Sequence, residues 1–116
     1  MKFILGFFFL ALFAVPAKSQ TNTTDGNFLL VSCEVSIRGM EGSDFTGTGE
    51  AWRGGNCMGL VRGVYSALPT VCAANVTIGQ LIRVVVKYLQ NHPEKLNLED
   101  VLLVRSALES AFPCKH

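Results

Sequence analysis

Residues 76–114 carry two helical periodicities separated by a single proline, Pro93, and a helical hairpin is the simplest fold that satisfies both. Thr77 and Gln80 fit a capping box, in which the hydroxyl accepts from the third helical amide and the glutamine reaches back to the cap amide, so a helix is expected to start at Ile78. Ile78, Leu81, Ile82, Val85, Tyr88 and Leu89 then recur at i, i+3, i+4 and i+7, with Arg83, Lys87 and Gln90 on the other side. Val84 and Val86 widen the apolar arc, which predicts contact with more than one neighbour and a central place in the fold. Asn91-His92-Pro93 ends this helix, because proline drives the preceding residue out of the α region. Asn97 is the expected N-cap of the next helix, with Glu99 and Asp100 in a first turn where the dipole favours negative charge. Leu98, Val101, Leu102, Leu108, Ala111 and Phe112 form its expected apolar face, up to the stop at Phe112-Pro113-Cys114.

At the other end, Lys2 precedes an apolar run over residues 3–15, thirteen residues that are too few to span a bilayer. Ala17-Lys18-Ser19 follows with small residues at the minus-three and minus-one positions, so residues 1–19 read as a secretory signal peptide cleaved after Ser19. Residues 20–116 remain as one small domain, with no membrane attachment after cleavage. Ten basic residues less Lys2 and Lys18 leave eight against nine acidic ones, and no basic stripe offers a surface for nucleic acid.

Export gives the four cysteines their meaning. Cys33, Cys57, Cys72 and Cys114 in a small secreted domain imply two disulfides, and none of their spacings, 23, 14 and 41 intervening residues, matches a zinc site. Pairing Cys57 with Cys72 is disfavoured by length. A helix over residues 57–68 rises about 17 Å, whereas the four residues to Cys72 reach back only about 14 Å. An up-down bundle favours Cys33 with Cys57 and Cys72 with Cys114; a different register of the first helix would instead join Cys33 to Cys72.

Residues 25–37 hold Phe28, Leu29, Val31, Cys33 and Val35, a mixed pattern that its position before a bundle tips towards helix. Residues 39–55 contain six glycines among Ser43, Thr46 and Thr48, and predict a flexible surface excursion. Phe45 and Trp52 within it either pack the loop onto the bundle or form a contact surface for a partner. Leu60, Val61, Val64, Tyr65 and Leu68 then mark a helix from Cys57. The fold class is therefore all-α: a small disulfide-linked bundle of about four helices.

Catalytic machinery is missing from this inventory. His116 is terminal, and His92 stands before a proline where capping is the common role. Oxidised cysteines offer no thiolate, and Glu94, Glu99 and Asp100 are accounted for by a helix start. Gly47-Thr48-Gly49 lacks the strand-to-helix setting of a phosphate loop. The chain is not expected to be an enzyme, nor to need a metal or cofactor.

Cys57-Met58-Gly59-Leu60-Val61-Arg62-Gly63-Val64, Cys72, Val76-Thr77-Ile78-Gly79-Gln80, Tyr88-Leu89, His92-Pro93-Glu94 and Ala111-Phe112-Pro113-Cys114 occur in that order. The ordered set resembles the Rap/Tai family of type VI secretion amidase immunity proteins, over residues 57–114. Upstream, only Cys33 adds to the likeness, and the glycine-rich stretch is longer than the family's usual connection. The resemblance implies a small periplasmic α-helical protein, often a homodimer, that binds and blocks a peptidoglycan-cleaving amidase delivered by a neighbouring bacterium. Such inhibition is occlusion, in which a rigid protrusion fills the enzyme's cleft. Two protrusions are candidates: the hairpin tip at residues 92–97, with His92, Pro93 and Glu94, and the loop bearing Phe45 and Trp52. The alternative is a secreted or periplasmic binding or structural module of the same fold without a toxin partner, since a fold alone does not carry a target.

Overall fold

The computed structural model describes Ala14 and residues 24–115. The expected signal peptide lies outside the described residues, Ala14 apart. Asp25 opens α1 (Gly26–Met40): its carboxylate accepts from the Phe28 amide at 3.0 Å, satisfying one of the first-turn donors. The helix runs three residues beyond the expected 37. Only residues 41–47 then leave the helical state, because α2 spans Thr48–Ala67. This corrects the expected excursion over residues 39–55. Glu50 is the physical reason: it accepts from the Thr46 amide at 2.9 Å and from Arg38 of α1 at 2.7 Å, so the turn before α2 is pinned to the end of α1. Those same two partners, the Thr46 amide first, hold the Glu50 carboxyl below the usual glutamate value.

α2 packs back across α1, and the two are joined mid-helix by the Cys33–Cys57 disulfide. Near that crossing the Ser36 hydroxyl donates to the Gly54 carbonyl. Cys57 is thus well inside α2, because the helix starts nine residues before it.

Thr77 and Gln80 make the expected capping box at the head of α3 (Ile78–Asn91), with both reciprocal bonds present. Leu81, Ile82, Val85, Val86 and Leu89 are buried, and α3 touches α1, α2 and α4, so its wide apolar arc does place it at the centre. Ion pairing of Arg83 with Glu41 and the Gln90–Glu34 contact show that α3 runs antiparallel to α1. A 3-10 turn at Pro93–Lys95 leads to α4 (Asp100–Ala111). The N-cap of α4 is Glu99, two residues later than the expected Asn97, which lies exposed in the turn.

That shift accompanies a rotation of the α4 apolar face. Leu103, Val104, Ala107 and Leu108 are buried, whereas Leu98, Val101 and Leu102, expected in the core, are exposed. Past α2, the second disulfide joins Cys72 to Cys114, beside a Cys72 amide bond to the Phe112 carbonyl at 2.9 Å and a bridge between Val71 and Pro113. Among the described residues there is no strand beyond isolated bridges.

Candidate functional site

Three element ends converge at one pole of the bundle: the start of α1, the end of α3 and the start of α4. The α3 end is closed by His92, in which Nδ1 lies 2.7 Å from the Tyr88 carbonyl. A carbonyl only accepts, so Nδ1 carries the hydrogen and Nε2 is left for other contacts. The imidazole also stacks on the Tyr88 ring, with centroids 4.2 Å apart. On that ring, Lys95 Nζ donates to the phenol oxygen at 3.3 Å and lies 5.7 Å from the centroid. His92, Tyr88 and Lys95 therefore act as one stacked unit, with Pro93 locking the backbone between them.

The tip is also strapped to α1. The Asn27 amide and side chain both donate to the Leu96 carbonyl, at 3.1 and 3.0 Å, and the Gly26 amide donates to the Leu98 carbonyl at 3.0 Å. The Asp100 amide in turn donates to the Thr24 carbonyl at 2.8 Å. Gly26 is required by this approach, since a Cβ there would lie 2.5 Å from Leu103 Cδ1 and 2.9 Å from the Leu96 backbone. Residues 92–98 are a braced protrusion rather than a free loop.

Around the strap, exposed apolar side chains stand beside acidic ones in the same segments. Leu98, Val101 and Leu102 are 45%, 46% and 50% exposed. Asp25, Glu94, Glu99 and Asp100 lie within the same segments, and burial, then the Glu99 and Asp25 charges, push the Asp100 carboxyl above the usual aspartate value against the bond from the Val101 amide. Beside the tip, a groove of about 310 Å³ between α3 and α4 is lined by Lys87, Tyr88, His92, Ala107 and Ser110.

The structure divides the candidate contact residues. His92, Pro93 and Glu94 are together on the tip. Trp52 is on α2, 55% exposed, with its ring 5.5 Å from that of Phe28, which ties it to the α1 start that holds the tip. Phe45 belongs elsewhere. Its ring would meet a Cβ at Gly39 within 2.6 Å, near the far end of α1 and about 20 Å along the helix from Gly26. Both aromatic residues thus pack partly onto the bundle while keeping an exposed edge. Phe28, Leu98, Val101 and Leu102 were not singled out as surface residues from sequence; Val101 and Leu102 sit in a run of apolar residues that gives no sign of which members face out.

All four cysteines are in disulfides, and among the described residues no group of three or more His, Cys, Asp or Glu side chains is placed to hold a metal ion. What the pole offers is a shaped, braced surface. No protein of curated function and no solved structure matches the chain. The family model of the Rap1a immunity proteins does match, over residues 25–114, which takes in all four helices, both disulfides and the braced tip, and the chain belongs to that family.

Proposed function

We propose that this protein is a periplasmic immunity protein that binds a peptidoglycan amidase delivered by a type VI secretion system, and blocks it by placing the tip at residues 92–97 in the enzyme's cleft. Membership of the Rap1a immunity family supports the immunity role. Two disulfides and the apolar N-terminal run of the sequence support an exported, oxidising setting. The observation that carries the choice of tip is its bracing: two hydrogen bonds from Asn27 to Leu96, two more just after it at Leu98 and Asp100, and the His92–Tyr88–Lys95 stack order it in advance, so little conformational freedom is left to lose on binding. His92 Nε2 and the Glu94 carboxylate are among the polar groups it presents to a catalytic cleft. Trp52 supplies an aromatic anchor from α2, and Phe45, fixed over Gly39 and Gly54, is a more distant contact. Occlusion asks no chemistry of this chain, so the reading is of an inhibitor and not of an enzyme.

The test is a peptidoglycan-cleavage assay with a type VI amidase of the source bacterium or its competitors and the mature, oxidised protein. The expected result is stoichiometric loss of cleavage, relieved at least about tenfold by a His92→Ala, Glu94→Lys double variant, a loss typical of hot-spot residues. Cleavage that continues unchanged at saturating protein overturns the proposal.

A further inference from the structure

The tip leaves unused an exposed apolar surface at its own pole. Val101 and Leu102 on the outer side of α4, and Leu98 just before it, stand half-exposed, while their neighbours Leu103 and Val104 fill the core. Exposed leucines and valines on a short stretch are a cost in solubility unless something covers them. The charges around them indicate what. Asp25, Glu94, Glu99 and Asp100 lie in the segments that adjoin the patch, and the two cations of those segments are already engaged: Lys95 with Tyr88, and Arg105, one turn beyond Val101, with Glu109 at 2.7 Å. Carboxylates crowd at Asp100, whose carboxyl is held above its usual value by burial first and then by the Glu99 and Asp25 charges. Glu99 caps α4 without using its side chain, so that carboxylate is spare.

A second copy of this chain is a poor occupant. Two-fold self-association would bring a second set of the same four carboxylates to the interface and offer them only Lys95 and Arg105, each already engaged, so like charge accumulates there. A complementary partner has an aliphatic or aromatic centre ringed by Lys and Arg.

We infer that Leu98, Val101 and Leu102 form a second docking surface, beside the tip, for a partner protein whose matching face is apolar with a basic rim. The inference rests on the proposed function in identifying that partner as the amidase, gripped on its cleft wall while the tip occupies the cleft. The acidic rim then steers the encounter and the apolar centre holds the complex, so that mutating the rim acts on salt dependence and mutating the centre acts on lifetime.

Binding of a purified type VI amidase to the mature, oxidised protein, measured by titration calorimetry at about 50 and 300 mM NaCl, tests this alongside sedimentation of the protein alone, the two concentrations bracketing weak and strong screening. Leu102→Asp is expected to weaken binding at least tenfold at both salts with the helical spectrum unchanged, since Leu102 takes no part in the core. Glu99→Lys is expected to weaken binding at low salt and to flatten its salt dependence. Both variants binding within about twofold of wild type, while the tip variant loses binding, overturns the inference and leaves the immunity reading standing. A wild-type dimer that Leu102→Asp converts to monomer overturns it in favour of self-association. Wild-type protein that fails to bind at all defeats the immunity reading itself, and this inference with it.

Discussion

Gly26 and Gly59 are both helical glycines, and the structure gives them opposite value. At Gly26 an added Cβ would strike Leu103 and the Leu96 backbone, which carries the tip, whereas at Gly59 nothing lies within 4 Å. Gly26→Ala should therefore lower stability by about 1–3 kcal/mol, the range for overpacking. Gly59→Ala should raise it by about 0.5–1 kcal/mol through helix propensity. Chemical denaturation of both variants checks the pair, and equal effects would contradict the strap geometry. Asp100 yields a second prediction at this scale. Its carboxyl titrates above the ordinary aspartate value because of burial first and the Glu99 and Asp25 charges second. Between the ordinary value and the raised one, the folded chain holds a proton that the unfolded chain has lost, so stability falls as pH rises through that window. Asp100→Asn keeps an acceptor for the Val101 amide and removes the fall. The stability of the variant relative to wild type should accordingly be greater at pH 7 than at pH 3, read from denaturation midpoints at the two values; a difference independent of pH would show that the ionised carboxylate carries no penalty.

At the scale of the element, α3 and α4 make an instructive contrast. For α3 a capping box and one unbroken apolar arc specify start, end and buried face together, and the helix forms from Ile78 as the pattern requires. In α4 the run Val101-Leu102-Leu103-Val104 places apolar side chains all round one turn, so periodicity leaves the face open. The choice falls on Leu103 and Val104 because they continue into Ala107 and Leu108 one turn on and because Leu103 meets Gly26 of α1. Leu103→Ala should cost about 2–5 kcal/mol, as cavity-forming core substitutions do. Leu102→Ala should stay within about 0.5 kcal/mol, as for an ordinary surface site. Thermal or urea unfolding distinguishes them, and a comparable loss at Leu102 would mean that the exposed face is part of the core. The glycine-rich stretch before Cys57 was illegible for a related reason. Gly49, Gly54 and Gly55 argue against a helix by propensity, but Gly54 is the position where α2 meets Val35 and Ser36 of α1, and packing outweighs the intrinsic cost.

For the whole molecule, the two disulfides play unequal parts. Cys33 and Cys57 have no exposed surface and tie the α1–α2 crossing, whereas Cys72 is exposed and Cys114 half-buried where the chain end meets the turn after α2. Exchange requires a thiolate to reach a sulfur, so mild reductant on the native protein should open Cys72–Cys114 first, and Cys33–Cys57 only once the bundle unfolds. Timed alkylation and mass spectrometry would show the order, and simultaneous opening would contradict the buried crossing. Loop-closure entropy for sequence separations of 24 and 42 residues puts each bridge at about 3.5–4 kcal/mol, a large part of a small domain's stability. The amino-acid sequence by itself determined the helical class, the start and stop of α3, the proline turn after it and the family, because each depends on interactions within a few residues or on an ordered run of them. Only the tertiary structure decided which side of α4 is wet, where α2 begins, and that residues 24–27 brace the tip. Those outcomes rest on the Gly26–Leu103 approach, the Arg38–Glu50 pair and the bonds from residues 26 and 27 to Leu96 and Leu98, and each joins groups that no local pattern relates.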